Sequence, residues 1–228
     1  MKRQTKPLLR RTTPINCPNH KRMRYSERSD FLSRVMVQTT PESTTELPLK
    51  RWTVEDYHRM IAAGILTKSD RVELLDGQII EMVPQDPPHA SNTSSFGNDL
   101  VILFAEKAWI RTQLPITLAP NSEPEPDIAV VRIDERRYRA RHPTPEEIFL
   151  LIEIADSTLQ RDRTRKAKIY ASAGIPEYWV VDINRRQVIV LRQPQADAYQ
   201  SEQLLAANAQ IAPVAFPEVV IDLQHLLL

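Results

Sequence analysis

Residues 148–154 read Ile-Phe-Leu-Leu-Ile-Glu-Ile, and so oily a run leaves few folds open. A half-solvated strand alternates apolar with polar residues, whereas a near-continuous apolar run belongs to a central strand covered on both faces. The run therefore predicts a sheet with layers packed on either side. Its one polar member, Glu153, becomes the most informative residue of the chain. A carboxylate inside such a strand is expensive unless it is paired with a cation, hydrogen-bonded or bound to a metal. On this residue alone, a structural ion pair with a nearby arginine and a working site explain it equally well.

The surrounding pattern fills in the layers. Thr53-Val54-Glu55-Asp56 has the form of a helix N-cap followed by first-turn acids, and Gly64 is a stop, so Thr53–Ala63 should be a short helix. Two apolar runs, Arg71–Leu75 and Gln78–Val83, flank Asp76-Gly77, a strong β-hairpin signal. A longer helix is expected from about His89 to Trp109, burying Phe96, Leu100, Leu103 and Phe104. Strands follow at Thr112–Leu118, Asp127–Arg132 and Ile148–Ile154. A helix over Leu159–Ala173 should end at Gly174, and strands at Glu177–Ile183 and Gln187–Leu191 come next. The C-terminal stretch is less regular, with one further strand at Val219–Asp222. The pattern describes a mixed α/β sheet flanked by helices, not a regularly alternating doubly wound fold.

Composition sets the outer limits. The chain of 228 residues is 42% hydrophobic and 26% charged, an ordinary globular balance. No apolar run approaches the ~18–20 residues that cross a bilayer, and no short apolar core with a cleavage site opens the chain. Cys17 is the sole cysteine, so neither an internal disulfide nor a cysteine zinc cluster is available. These features read as cytoplasmic. Residues 1–35 carry ten Lys/Arg and two acids, a net +8, which leaves the rest at −7 against a total of +1. Residues 1–48 have a disordered composition and are read as an extension of the 49–228 domain. That extension is a solvated tail ahead of a translation start at Met36, a basic nucleic-acid-binding arm, or a targeting peptide. An acidic body does not coat nucleic acid electrostatically, so contacts there must come from local basic patches.

Four residues carry the candidate chemistry. Besides Glu153, Asp127 opens the apolar strand Ile128-Ala129-Val130-Val131. Such an Asp often merely caps a loop, yet acids on two neighbouring core strands can converge, as hard cations such as Mg²⁺ require. Lys166 follows on the next helix. It could form an exposed i,i+4 pair with Asp162, or reach a phosphate oxygen or an attacking water. Glu73 lies on the hairpin, with Glu81 as its rival. Two basic clusters are expected to flank the site: Arg132, Arg136, Arg137, Arg139 and Arg141, and then Arg161, Arg163, Arg165, Lys166 and Lys168. With Asp134, Glu135 and Asp162 among them, a solvated charged surface is the alternative reading of either cluster. His89, at a helix start, reads as a cap or packing residue. There is no Gly-x-Ser-x-Gly elbow, and four glycines leave no phosphate-cradling loop.

Pro124-Glu125-Pro126-Asp127-Ile128-Ala129-Val130-Val131, followed by Leu151-Ile152-Glu153-Ile154 and then Lys166-Ala167-Lys168-Ile169-Tyr170 through Glu177-Tyr178-Trp179-Val180-Val181-Asp182, resembles the Uma-two family of the PD-(D/E)XK nuclease superfamily. The hairpin Glu73-Leu74-Leu75-Asp76-Gly77 and the strand Gln113-Leu114-Pro115-Ile116 fit as well, so the resemblance spans about residues 52–192. It implies a restriction-endonuclease-like α/β/α fold, with Asp127 and Glu153 as metal-binding carboxylates and Glu73 as an additional acid. The superfamily lysine usually stands two residues after the Glu. Here that place is Ala155, so the resemblance assigns the role to Lys166, with Lys168 as the alternative. It further implies Mg²⁺ or Mn²⁺, homodimers, and endonucleolytic hydrolysis of DNA phosphodiesters. A non-catalytic nucleic-acid-binding or regulatory module that keeps the fold, or a phosphohydrolase of small substrates, are the alternative functions.

Overall fold

The oily run forms the strand Ile148–Ala155, and seven of its eight residues are buried. The computed structural model describes residues 48–225. The extension read over 1–48 lies outside the described residues but for Pro48. In chain order the helices are α1 (Val54–Ala62), α2 (Pro87–Leu103), α3 (Leu159–Arg161) and α4 (Ala167–Ser172). The strands are β1 (Val72–Leu75), β2 (Gln78–Glu81), β3 (Trp109–Thr112), β4 (Ile128–Val131), β5 (Ile148–Ala155), β6 (Glu177–Asp182), β7 (Gln187–Gln195), β8 (Ala198–Ala206), β9 (Gln210–Ile211) and β10 (Ile221–Asp222). A six-stranded sheet runs in the order β3-β4-β5-β6-β7-β8. Only β5 and β6 pair in parallel, joined by the helical crossover through α3 and α4.

Period-two alternation sorts the central strands onto two faces. Ile128, Val130, Leu150, Ile152, Ile154 and Trp179 pack with Phe96, Leu100 and Phe104 of the α2 segment. Ala129, Val131, Leu151, Ala155, Tyr178 and Val180 pack with Ala167 and Tyr170 of α4. The result is the three-layer mixed α/β architecture that the apolar run predicts. Helix α1 is capped by Thr53, whose hydroxyl accepts from the Asp56 N–H. It packs with Leu74 of the β1–β2 hairpin, whose turn residues Asp76 and Gly77 both take positive φ.

Several boundaries differ from the sequence reading. Helix α2 ends at Leu103, which is 39% exposed rather than buried, and Trp109 opens β3 instead of closing the helix. The strand expected over Thr112–Leu118 is displaced to Trp109–Thr112. Gln113 adopts φ +52° and Pro115 has no N–H for a ladder, so pairing stops there. Strand β8 is absent from the sequence reading. It is a polar, largely exposed edge strand, Ala-Tyr-Gln-Ser-Glu-Gln-Leu-Leu-Ala, with no apolar alternation to announce it.

Candidate active site

Asp127 and Glu153 meet because of strand register. β4 and β5 are antiparallel with Ile128 opposite Ile152, so one further step sets Asp127 opposite Glu153. Both are in phase with Ala129, Leu151 and Ala155, on the face covered by α4. Asp127 Oδ2 accepts the Ile154 N–H at 2.8 Å, which ties the carboxylate to the neighbouring strand. Its Oδ1 lies 3.0 Å from His89 Nε2 and 3.3 Å from Gln113 Nε2. Burial opposes ionisation of Asp127, but the His89 contact and the Ile154 N–H outweigh it and hold the carboxyl below its ordinary range.

Glu153 is 3% exposed, and Oε1 accepts from Lys166 Nζ and from the Tyr170 hydroxyl, each at 2.8 Å. Burial pushes its carboxyl up to about 8 against the opposing pull of Lys166. The cation beside Glu153 is thus a lysine, not an arginine. Lys166 also stands 3.6 Å from Glu73 Oε2. Burial works against its charge, but Glu153, Glu73 and Asp162 together raise its pKa, so the ammonium stays protonated.

The helix read over Leu159–Ala173 is broken by a π turn, Asp162–Lys166. An i→i+5 turn inserts extra circumference, a feature frequent at functional sites. The exposed Asp162–Lys166 pair does not form. Both residues are buried, Asp162 Oδ2 accepts from the Thr158 hydroxyl at 2.5 Å, and Lys166 is turned to Glu153. Lys168 lies in an exposed pair with Asp197, 2.9 Å away.

Glu73 is buried and accepts the Glu125 N–H at 3.3 Å, whereas its rival Glu81 is exposed. Glu73, Asp127, Glu153 and Lys166 line one cleft together with His89, Arg161 and Asp156. His89, expected as a cap or packing residue, also belongs to the cleft through its contact with Asp127. Asp86 accepts the His89 N–H as N-cap, with prolines at the first two helical positions, and this fixes the imidazole at the sheet end. That Asp-Pro-Pro-His start is the signal available in the sequence.

The basic clusters do not both flank this cleft. β4 runs away from Asp127, so Arg132 and the loop through Arg141 leave from its far end, roughly 13 Å along the strand. There Arg141 pairs with Glu147 and Arg132 lies over the Phe149 ring. In the second cluster Arg163 pairs with Glu202, and Arg165 donates to the Leu75 carbonyl and to Gln78. Only Arg161 and Lys166 border the cleft.

Buried carboxylates elsewhere show the contrast. Glu177 is fully buried, but Trp179 Nε1, two nitrogens of Arg192 and the Val214 N–H already satisfy it. Its donors lock it into a structural role, and it lies outside the cleft.

A family model described as "Putative restriction endonuclease", Uma2, matches residues 54–224. The chain belongs to the Uma2 family. Among solved structures, this Uma2 protein is similar to a "putative nuclease belonging to DUF820" from Anabaena variabilis ATCC 29413. The two share 18% identity with a TM-score of 0.61, over 79% of this chain and 98% of that one. At that identity the likeness establishes the fold alone. No curated protein matches significantly. Among the described residues of this Uma2 chain, no helix is long and apolar enough to cross a membrane.

Proposed function

We propose that this Uma2 protein is a Mg²⁺- or Mn²⁺-dependent endonuclease that hydrolyses DNA phosphodiesters, its catalytic domain being residues 49–228 and its site Asp127, Glu153, Lys166 and Glu73. The observation that carries the reading is the convergence of three carboxylates and one ammonium from β1, the β4 entrance, β5 and the π turn on a single cleft. Burying so many ionisable groups together costs stability, which a purely structural role does not explain.

The donor set suits a hard divalent ion. Carboxylate oxygens are the preferred ligands of Mg²⁺ and Mn²⁺, and Asp127, Glu153 and Glu73 present theirs to one cleft. Among the described residues no three His, Cys, Asp or Glu side chains form a ready-made ligand group. Mg²⁺ commonly takes only one or two protein carboxylates and completes its shell with water and substrate phosphate. Asp127 and Glu153 would hold the ion, with Glu73 beside them. When bound, it would acidify a water and stabilise charge on the scissile phosphate. The protein's own groups prepare that chemistry. His89 and the Ile154 N–H orient Asp127, Tyr170 and Lys166 orient Glu153, and the Lys166 ammonium stabilises negative charge at the cleft floor.

The test is cleavage of supercoiled plasmid and of single-stranded DNA in Mn²⁺, Mg²⁺ or chelator, with Asp127→Asn and Glu153→Gln proteins in parallel. Metal-dependent nicking that both substitutions abolish is the expected result. Nicking that persists equally in both variants overturns the site. Nucleic-acid binding without metal-dependent cleavage would assign the chain to a non-catalytic module instead.

A further inference from the structure

The positive charge in the cleft is unevenly committed. Lys166 is 3% exposed and bonded to Glu153, with Glu73 close by, so its ammonium belongs to the floor. The other basic residues of that segment are paired outside the cleft: Arg163 with Glu202, Arg165 with the hairpin, Lys168 with Asp197. Arg161 differs. It borders the cleft from the end of α3, its side chain is 29% exposed, and its Nε is buried without a hydrogen-bond partner. Its one ion-pair contact among the described residues is Asp162 Oδ1. At 3.7 Å this is too long for a hydrogen bond, and that oxygen is itself buried and unpartnered. Arg71, the other arginine of the lining, is exposed, and its charge acts on Glu125 of the same cleft.

A guanidinium presents a planar fork of donors that matches the oxygens of a phosphate, and one that no carboxylate hydrogen-bonds offers an unengaged positive edge in an otherwise acidic cleft. We propose that Arg161 is the backbone-phosphate contact of the cleft, holding a phosphate of the nucleic-acid strand at the rim while Lys166 stays with Glu153 at the floor. The inference rests on the nuclease reading and names the residue by which that site engages its substrate. It makes Arg161 a binding residue whose removal weakens association more than turnover.

The experiment is steady-state cleavage of a short labelled duplex by the full chain over a salt series, comparing wild type, Arg161→Gln and Arg163→Gln. The last removes the same charge outside the cleft and keeps net charge matched. For Arg161→Gln, KM should rise about tenfold with kcat within about twofold. The slope of log(kcat/KM) against log salt should fall by about one. Arg163→Gln should leave both near wild type. A KM and salt slope in Arg161→Gln equal to those of Arg163→Gln overturn the proposal and leave the nuclease reading standing. A folded wild-type chain that neither binds nor cuts the duplex overturns both.

Discussion

Lys166 Nζ lies 2.8 Å from Glu153 Oε1 and 3.6 Å from Glu73 Oε2, so a π turn, a core strand and a hairpin strand share one water-poor volume. An ammonium placed there acts through the low dielectric around it. Replacing it by the near-isosteric methionine should lower kcat by about 10²–10³-fold. Lys168→Met should leave turnover near wild type, because Lys168 sits in a surface pair with Asp197. Parallel kinetics on the two variants check this. Equal losses in both would mean that proximity to Glu153 is not what matters.

His89 should behave as a positioning residue. Its Nε2 fixes one oxygen of Asp127 while the Ile154 N–H fixes the other. Outer partners of this kind typically contribute about 10–100-fold in metal affinity or activity. His89→Ala should therefore weaken Mn²⁺ binding in a direct titration by a factor in that range. His89→Gln, which keeps a donor, should recover part of it. Undiminished Mn²⁺ affinity in His89→Ala would remove His89 from the site.

Most of the fold was legible because its strongest signals are local. The oily run around Glu153, the Asp76-Gly77 turn and the Gly174 stop each depend on neighbours in sequence. Strand β8 was not legible, because an edge strand is defined by β7 beside it and not by its own polar residues. The site divides the same way. Asp127 and Glu153 stand out as acids against apolar strands, and their convergence follows from a register that only the β4–β5 pairing sets. The π turn, the Asp127–His89 contact and the far-end placement of the Arg132–Arg141 loop depend on three-dimensional packing, and no periodicity in the chain encodes them.

Glu177 offers a control for the site. It is buried as deeply as Glu153, but it is saturated by Arg192, Trp179 and the Val214 N–H. Breaking a buried pair from one side typically costs about 3–5 kcal/mol, since the partner charge is left uncompensated. Glu177→Ala should lose stability of that order in denaturant unfolding, while its folded fraction cuts at the wild-type rate. A stable but inactive Glu177→Ala protein would reverse the roles assigned to the two glutamates.

The pair Arg141–Glu147 makes a pH-dependent prediction. Two guanidinium nitrogens meet the two carboxylate oxygens at 2.5 and 2.7 Å, and the Thr144 N–H donates to the same carboxylate. The Arg141 bonds hold the Glu147 carboxyl down at about 2, against burial. A carboxyl depressed in the folded state stabilises the protein above its unfolded value of about 4.5, and that contribution disappears as pH falls toward 2. Glu147→Gln should therefore melt below wild type at pH 7. The gap should shrink between about pH 4.5 and 2, as wild type gives up what the variant never had. Because Arg141 is half exposed, added salt should also narrow the gap at pH 7. Melting curves of both proteins over this range decide it: a gap that stays constant with pH would show that Glu147 acts by packing and not by charge.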